Sequence, residues 1–315
     1  MTSSPLPVAD QRLLLVHAHP DDETIGNGAT MAKYVAEGRR VTMVTCTAGE
    51  MGEILVPELE HLAADREDKL GEHRRGEIAD AMAALGVTDH RFLGGFGRFR
   101  DSGMKWAPEG GYAIPADDVH ENAFWHSDLV VAADELVRII REVRPQVLVT
   151  YDEFGGYGHP DHKQAHRVAT YGAALAAVPS YKPELGAAWD IPKHYWNAMS
   201  ESRMREGMRQ LKAAGEEVEF FGGDPDGPLP PVVVADEHLA AVVDGGSEGA
   251  RAKLDAMRAY PTQIQVDGPF FALSNNLGDR VWAEEFYRLA KGVQGPVNDE
   301  GLETDLFAGL DSSWA

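Results

Sequence analysis

The sequence predicts an α/β fold: a Rossmann-like, mostly parallel sheet with helices on both faces and a small C-terminal layer. Short apolar runs, of the kind buried in parallel sheets, alternate with longer segments of helical periodicity. The opening strand, helix and strand span about 35 residues, which suits a βαβ unit. Strands that alternate with helices in this way form parallel sheets wound on both faces.

The individual elements follow from these two patterns. Apolar runs predict strands at 13–16, 41–45, 91–93, 147–150 and 232–234. Helical spacing of apolar residues predicts helices at 29–37, 66–85, 129–143, 161–177 and 247–260. Gly38 and Gly86 are suitable helix ends, and Pro160 suits a first helical turn.

The whole chain, residues 1–315, is predicted to form one domain. Its core covers about 12–180, a C-terminal layer covers about 190–294, and residues 295–315 form a polar, loosely held tail. Residues 94–126 contain six glycines and two prolines and are too long for a simple connection. We therefore expect them to form a binding loop. Residues 222–231, rich in Gly, Pro and Asp, predict a linker or hairpin tip.

Composition excludes several classes of function. The net charge is −22, from 51 acidic and 29 basic residues, so nucleic acids and anionic membrane surfaces would be repelled. A single cysteine, Cys46, rules out an intramolecular disulfide and a thiolate metal cluster. Neither a signal peptide nor a run of 18 apolar residues is present. A cytoplasmic protein with a small-molecule substrate is expected, and a homo-oligomer remains open.

Two polar clusters follow predicted strands, and each contains His-Pro-Asp. Residues 17–23 (HAHPDDE) follow the first strand, and residues 151–162 (YDEFGGYGHPDH) follow the strand at 147–150. Ligands of open α/β sheets bind at the carboxyl ends of the strands, so the two clusters can face one another. Adjacent carboxylates raise each other's pKa unless a cation neutralises them.

These clusters predict a divalent metal site. His19 and Asp22 lie three residues apart on a turn and can converge on one ion. Two histidines and one carboxylate, with a position left for water, are the ligands expected for catalytic zinc. The same set can hold ferrous iron.

Residues 19–23 (HPDDE) and 158–162 (GHPDH) resemble the two signature motifs of the PIG-L/LmbE-like deacetylase family. Five further segments resemble the mycothiol-pathway branch, whose substrate is N-acetylglucosaminyl-inositol: 27–30, 45–47, 98–104, 155–162 and 272–277. The likeness covers most of residues 12–292 and departs mainly over 183–231.

The resemblance implies a zinc-dependent removal of acetyl from an N-acetylglucosamine-containing substrate. One zinc ion per chain would be held by His19, Asp22 and His162. Asp21 would act as general base towards water that the metal activates.

The resemblance also implies the remaining roles. His159, as an imidazolium, and Tyr157 would stabilise the oxyanion, and His159 or protonated Asp21 would protonate the departing amine. The nearby carboxylates are expected to keep His159 cationic near neutrality. Arg74 would bind the sugar or inositol, with Asp101 and either Glu50 or Glu53 nearby.

Four neighbouring residues are given supporting roles. His17 is expected to be packed or to support the site, and His166 to support the site or lie at the surface; neither is expected to bind metal. Asp161 either orients an imidazole or places a charge at a helix N-terminus. Glu23 is expected to cap or brace the turn.

Three alternatives stay open. A related amidase of the same fold would cleave mycothiol S-conjugates or another N-acyl sugar, although residues 24–27 (TIGN) favour the deacetylase. A ferrous oxygenase would use the same ligand set but usually sits on antiparallel β barrels. A non-catalytic sugar- or nucleotide-binding protein is disfavoured because Met31 stands where a dinucleotide fingerprint needs its third glycine.

Overall fold

The computed structural model describes residues 4–213, 215, 224–266 and 283–315. Its helices are α1 (Asp22–Ala36), α2 (Leu70–Leu85), α3 (Leu129–Val143), α4 (Pro160–Ala176), α5 (Glu201–Ala213) and α6 (Gly246–Arg258). Its strands are β1 (Arg12–His17), β2 (Arg40–Thr45), β3 (Asp89–Phe92), β4 (Met104–Trp106), β5 (Ala113–Pro115), β6 (Val147–Thr150), β7 (Lys193–Ser200), β8 (Val233–Val234), β9 (Ala241–Asp244) and β10 (Glu284–Lys291).

The main sheet confirms the predicted fold class. Its strand order is β3-β2-β1-β6-β7-β10-β9, and β8 pairs with the end of β7. The pairs among β3, β2, β1, β6 and β7 are parallel, whereas β10 runs antiparallel to β7 and β9. The chain winds outward from β1 in one direction and then returns to add β6 on the other side. This reversal is the topological switch point at which open α/β sheets bind ligands.

Strand β1 shows why the sheet is covered on both faces. Leu13 and Leu15 lie in a core that contains side chains of α1, α2 and α6, whereas Leu14 and Val16 lie in a second core formed with α3 and α4. Successive residues of a strand point to opposite faces, so a continuous apolar run fills both cores. No helix among the described ranges is long and apolar enough to cross a bilayer.

Several elements differ from the sequence prediction. Helix α1 begins at Asp22 rather than at residue 29. Residues 22–28, which include two glycines, are helical as well. Helix α2 begins at Leu70 rather than at residue 66 because Asp68 has a left-handed φ of 53°. The prediction did not include β7, β9, β10 or α5. The C-terminal strands extend the main sheet, while α6 packs beside α1 and α2. Residues 222–223 and 272–277 lie outside the described ranges.

The structure corrects the expectation of a loosely held tail, because residues 295–315 are packed into the fold. Leu306, Phe307 and Leu310 are buried in the same core as β1, and the Asp305 carboxylate receives two hydrogen bonds from Arg39, of 2.6 and 2.8 Å. Glu303 is fully buried and accepts hydrogen bonds from the side chains of Lys193 and Tyr195. The polar composition of the tail concealed these apolar anchors and this internal ion pair.

We expect the Glu303→Ala variant to lose about 3–5 kcal/mol of unfolding free energy, because the buried ammonium of Lys193 would lose its counter-ion. Urea denaturation measures this loss. Asp190→Ala is the matched control, since it removes the exposed ion pair to Lys291, which is worth no more than about 1 kcal/mol. Equal, small losses in the two variants would show that the tail contributes little to the fold.

Candidate active site

The two His-Pro-Asp motifs meet at the switch point of the sheet. The first lies between β1 and α1, and the second lies between β6 and α4, whose parent strands are direct neighbours. The imidazole ring centroids of His19 and His162 lie 5.3 Å apart, and Asp22 lies between these two side chains. The structure therefore brings together the three residues that the sequence predicted as metal ligands.

The donor set fits a divalent cation. Asp22 Oδ2 lies 3.2 Å from His19 Nδ1, and Asp22 Oδ1 lies 3.3 Å from His162 Nε2. Ligand atoms about 2.0 Å from a tetrahedral zinc ion are separated by about 3.3 Å. His162 Nε2 is buried and has no hydrogen-bond partner among the described residues, while its Nδ1 faces the carbonyl oxygen of Gly155 at 3.2 Å. A buried nitrogen without a partner is costly unless it binds a ligand.

Electrostatics favours the same conclusion. Asp21, Asp22, Asp101 and Asp161 all lie in this region, and Arg74 donates to one of them. Burial acts to raise the pKa of Asp22, but His162 and His19 hold that pKa well below its usual range. A divalent cation would offset the excess of negative charge.

Asp101 and Asp161 face the other edge of the His19 ring. His19 Nε2 lies 3.3 Å from Asp161 Oδ2 and 3.6 Å from Asp101 Oδ1. Each carboxylate also accepts backbone hydrogen bonds, including one of 2.8 Å from Ser102 N to Asp161 and one of 2.9 Å from Gly103 N to Asp101. A carboxylate on the far nitrogen fixes the tautomer of a ligating histidine. The long loop 94–126 supplies Asp101 and Ser102.

The structure contradicts the expectation that the His159 side chain is an imidazolium. Its Nδ1 accepts a 3.1 Å hydrogen bond from Asp161 N and thereby caps α4. Burial, followed by the neighbouring His19 and His162, holds the pKa of His159 well below its usual value. A neutral imidazole that accepts at Nδ1 carries its proton on Nε2. His159 is therefore a neutral N–H donor. One of its nitrogens also lies within 4.8 Å of nitrogens of His19 and His162, which is close enough for the three to share an ion.

Asp21 is held in a strained backbone conformation next to this cluster. Its φ is 130°, a region that non-glycine residues rarely adopt and that concentrates at functional sites. Arg74 Nη2 donates to Asp21 Oδ2 at 3.1 Å and to the carbonyl oxygen of Pro20, and its Nη1 donates to Gly49 O at 2.8 Å. Burial raises the pKa of Asp21 to about 8, against the lowering effect of Arg74.

The guanidinium of Arg74 lies inside the protein, with only 2% of the residue exposed. A Cβ on Gly49, whose φ is 67°, would come within 1.9 Å of Arg74 Nη1, so glycine is required there. Glu53 is exposed, and Gln263 donates to its backbone oxygen at 2.8 Å. The structure places Arg74 against Asp21 and leaves the Glu53 side chain at the surface.

Tyr157 lies against the histidines as predicted. Its ring packs edge-on against that of His162, with centroids 5.1 Å apart, and also faces His159 at 6.1 Å. Burial raises the pKa of the Tyr157 hydroxyl, so it is protonated and can donate a hydrogen bond.

Sequence reasoning gave no role to Tyr151, the first residue after β6. Its hydroxyl donates to Asp22 Oδ2 at 2.7 Å. The only sequence signal was its position at the carboxyl end of a strand. Glu23 braces the turn as expected, since its carboxylate accepts from Asp21 N at 3.1 Å and from the Tyr260 hydroxyl at 2.6 Å. His166 supports this region by facing the carbonyl oxygen of Tyr151 at 3.0 Å.

Comparison with known structures supports the fold. The N,N'-diacetylchitobiose deacetylase of Pyrococcus horikoshii is 19% identical, with a TM-score of 0.57 over 90% of this chain and 84% of that one. The 4-carboxy-2-hydroxymuconate hydratase from Pseudomonas putida is 15% identical, with a TM-score of 0.56 over 91% of this chain and 100% of that one. A deacetylase and a hydratase share this architecture, so the fold alone does not determine the reaction.

Sequence comparison is more specific. A protein of Nocardioides sp. named 1D-myo-inositol 2-acetamido-2-deoxy-alpha-D-glucopyranoside deacetylase is 74% identical over 96% of this chain and 99% of its own length. The protein of the same name from Kribbella flavida is 63% identical over 96% of this chain and 98% of its own. The model of the family described as PIG-L, GlcNAc-PI de-N-acetylase, matches residues 14–173, which include both His-Pro-Asp motifs. The chain belongs to this PIG-L de-N-acetylase family.

Proposed function

We propose that this protein is a metal-dependent hydrolase that removes the acetyl group from 1D-myo-inositol 2-acetamido-2-deoxy-α-D-glucopyranoside, as its relatives are named to do. The observation that carries the proposal is the buried Nε2 of His162, which has no hydrogen-bond partner in the described part of the chain and lies 3.3 Å from Asp22 Oδ1, with the Asp21 carboxylate alongside. The reaction adds water to the acetamide, breaks the C–N bond and yields acetate and a primary amine. This step belongs to mycothiol biosynthesis in the cytoplasm.

The metal ligands in this proposal are His19, Asp22 and His162. Zinc is the favoured ion, and ferrous iron accepts the same donors. When bound, the ion lowers the pKa of water and polarises the acetamide carbonyl. Asp101 and Asp161 hold the His19 ring so that Nδ1 is presented to the ion.

The proposed general base is Asp21. A proton leaves the attacking water for the Asp21 carboxylate as the new C–O bond forms, and the same proton can later pass to the nitrogen of the departing amine. Arg74 keeps the carboxylate in place from its buried position. Asp21 is itself the strained residue of the turn, with a φ of 130°, so its backbone is fixed beside the proposed ligand Asp22.

The two proposed donors to the oxyanion are His159 and Tyr157. Neutral His159 donates from Nε2, since its Nδ1 is engaged by the backbone of α4. Tyr157 donates from its protonated hydroxyl. Donors that are fixed before the reaction stabilise developing charge without reorganisation, and each is typically worth about 3–4 kcal/mol of barrier.

We assign recognition of the sugar and inositol hydroxyls to exposed polar side chains near the site. Glu53 is the candidate among them. Arg74 and Asp101 were proposed for the same role. Both are buried and engaged within the protein, so they act on the substrate chiefly by shaping the site.

An Arg74→Gln variant tests the contact with Asp21. The active enzyme needs Asp21 deprotonated, so activity rises as the pH passes through its pKa. Burial places that pKa at about 8, and a bound cation lowers it, so the rising limb of kcat/KM should lie below pH 8. Removing the Arg74 charge raises the Asp21 pKa, and the limb should move by about 1–3 pH units towards higher pH.

The control for this pH profile is Arg75→Gln, since Arg75 is an exposed neighbour on the same helix. Its profile should match that of the wild type. If Arg74→Gln raises KM while leaving the limb in place, Arg74 contacts the substrate instead of the base.

The function itself is tested by measuring the amine and the carboxylic acid released from three amides; the acid is acetate only where the acyl group is acetyl. The amides are the glucosaminyl-inositol acetamide, free N-acetylglucosamine and a mycothiol S-conjugate. Metal-stripped protein is compared with protein reloaded with zinc, or with ferrous iron under anaerobic conditions. We expect kcat/KM to be highest for the inositol compound and activity to depend on added metal. A preference for the S-conjugate would favour the amidase, and metal-independent turnover would refute the proposal.

A further inference from the structure

Tyr151 lies immediately after β6 and is almost completely buried, with 4% of the residue exposed. Its hydroxyl accepts a 2.8 Å hydrogen bond from Ala18 N and donates one of 2.7 Å to Asp22 Oδ2. Because the backbone amide can only donate, it directs the hydroxyl proton towards the carboxylate. The hydroxyl thus has one orientation, and its proton is aimed at Asp22.

The ring of Tyr151 is fixed as firmly as its hydroxyl. It stacks on the imidazole of His162, with centroids 4.2 Å apart and an angle of 14° between the planes. His17 packs against it edge-on at 4.9 Å. His166 Nδ1 faces the carbonyl oxygen of the same residue at 3.0 Å. Tyr151 therefore contacts two proposed metal ligands at once, one through its hydroxyl and the other through its ring.

The two carboxylate oxygens of Asp22 have different partners. Oδ2 accepts hydrogen bonds from the Tyr151 hydroxyl and the backbone amide of His19, at 2.7 and 2.9 Å, and lies 3.2 Å from His19 Nδ1. Oδ1 lies 3.3 Å from His162 Nε2, which has no hydrogen-bond partner among the described residues. Hydrogen bonds on one carboxylate oxygen leave the other to point at the ion.

We propose that Tyr151 is a positioning residue that sets the geometry of the metal site. Its hydroxyl leaves Asp22 Oδ1 as the single ligating oxygen. Its ring stacks on the His162 imidazole, so that His162 Nε2 faces the same ion position as Asp22 Oδ1. The inference rests on the proposed function, because it assumes that Asp22 and His162 bind the ion. It adds a tyrosine to the two carboxylates, Asp101 and Asp161, that support the proposed ligand His19.

The test is the metal affinity of Tyr151→Phe, which removes the hydroxyl and keeps the ring. Loss of a group that orients a metal ligand typically weakens binding by about 10–100-fold. The dissociation constant for zinc is measured by competition with a chromogenic chelator, without reference to activity. The absorption spectrum of the cobalt-loaded protein gives a second readout, and it should change if a second oxygen of Asp22 joins the coordination.

Tyr287→Phe is the matched control. Tyr287 is fully buried in the core on one face of the sheet, and its hydroxyl contacts Thr30 Oγ1 at 2.7 Å. That variant also removes a buried, hydrogen-bonded hydroxyl, and it should bind zinc like the wild type. Thermal unfolding of both metal-stripped variants shows that each is folded.

The outcomes separate this inference from the proposed function. Zinc binding by Tyr151→Phe within about threefold of the wild type, with an unchanged cobalt spectrum, overturns the positioning role. Equal weakening in Tyr287→Phe also overturns it, because the effect would then be one of general stability. If the wild type itself binds no metal, the proposed function fails first. If Tyr151→Phe is unfolded when metal-stripped, 4-fluorophenylalanine at position 151 replaces it, because the fluorine approaches the size of the hydroxyl and cannot donate a hydrogen bond.

Discussion

The His162→Ala variant is expected to lose its bound metal and, with it, nearly all deacetylase activity, while remaining folded. His162 supplies a buried nitrogen that lacks a hydrogen-bond partner among the described residues, so its loss removes a proposed ligand without breaking a hydrogen bond of Nε2. Metal content is measured by elemental analysis of the purified protein, and folding by thermal denaturation.

The matched comparison is His159→Ala, because both histidines lie in the same motif and within reach of the same point. His159 caps α4 through Nδ1, and in our assignment it donates from Nε2 and does not bind the ion. Its variant should keep the metal while kcat falls about 100–1,000-fold. Full metal content in His162→Ala, or loss of metal in His159→Ala, would reverse the two roles.

The Asp21→Asn variant is expected to keep its metal and to lose most of its activity. The amide keeps the size of the side chain and can still accept a hydrogen bond from Arg74, but it cannot take a proton from water. We expect kcat to fall about 100–10,000-fold with metal content unchanged. Steady-state kinetics and elemental analysis of the same preparation measure the two quantities.

The Asp89→Asn variant provides the control for this substitution. Asp89 is a partly exposed aspartate of β3 that also pairs with an arginine, Arg91, away from the active site. Near-normal turnover by Asp21→Asn with metal bound would move the base role to another carboxylate of the cluster, such as Asp101.

Strands β1, β2 and β6 could be predicted because their signals are local. Each apolar run of 4–6 residues is buried on both faces, and each following helix has its own apolar stripe. Strands β7 and β10 carry no such run, since KHYWNAMS and EEFYRLAK mix aromatic and charged residues. Their identity as strands depends on pairing between residues about 90 positions apart, which a local pattern does not reveal.

The same distinction holds for the active site. The proposed ligands lie in two short motifs, so their types and spacing were visible in the sequence. The protonation of His159 depends on burial and on a helix cap, and the cationic form expected from nearby carboxylates was wrong for that reason. Arg74 and Tyr151 contact Asp21 and Asp22 only through the fold, across separations of 53 and 129 residues.

Strand β10 is synthesised after both β7 and β9, yet it lies between them in the sheet. Until residues 284–291 leave the ribosome, β7 has an open edge with unpaired backbone groups along most of its length. Lys193, at the start of β7, must likewise wait for Glu303 before its charge can be buried. The sheet therefore cannot be completed at β7 until β10 has been synthesised. A truncated chain that ends before residue 284 would keep an exposed strand edge, which makes it prone to aggregation and a substrate for chaperones.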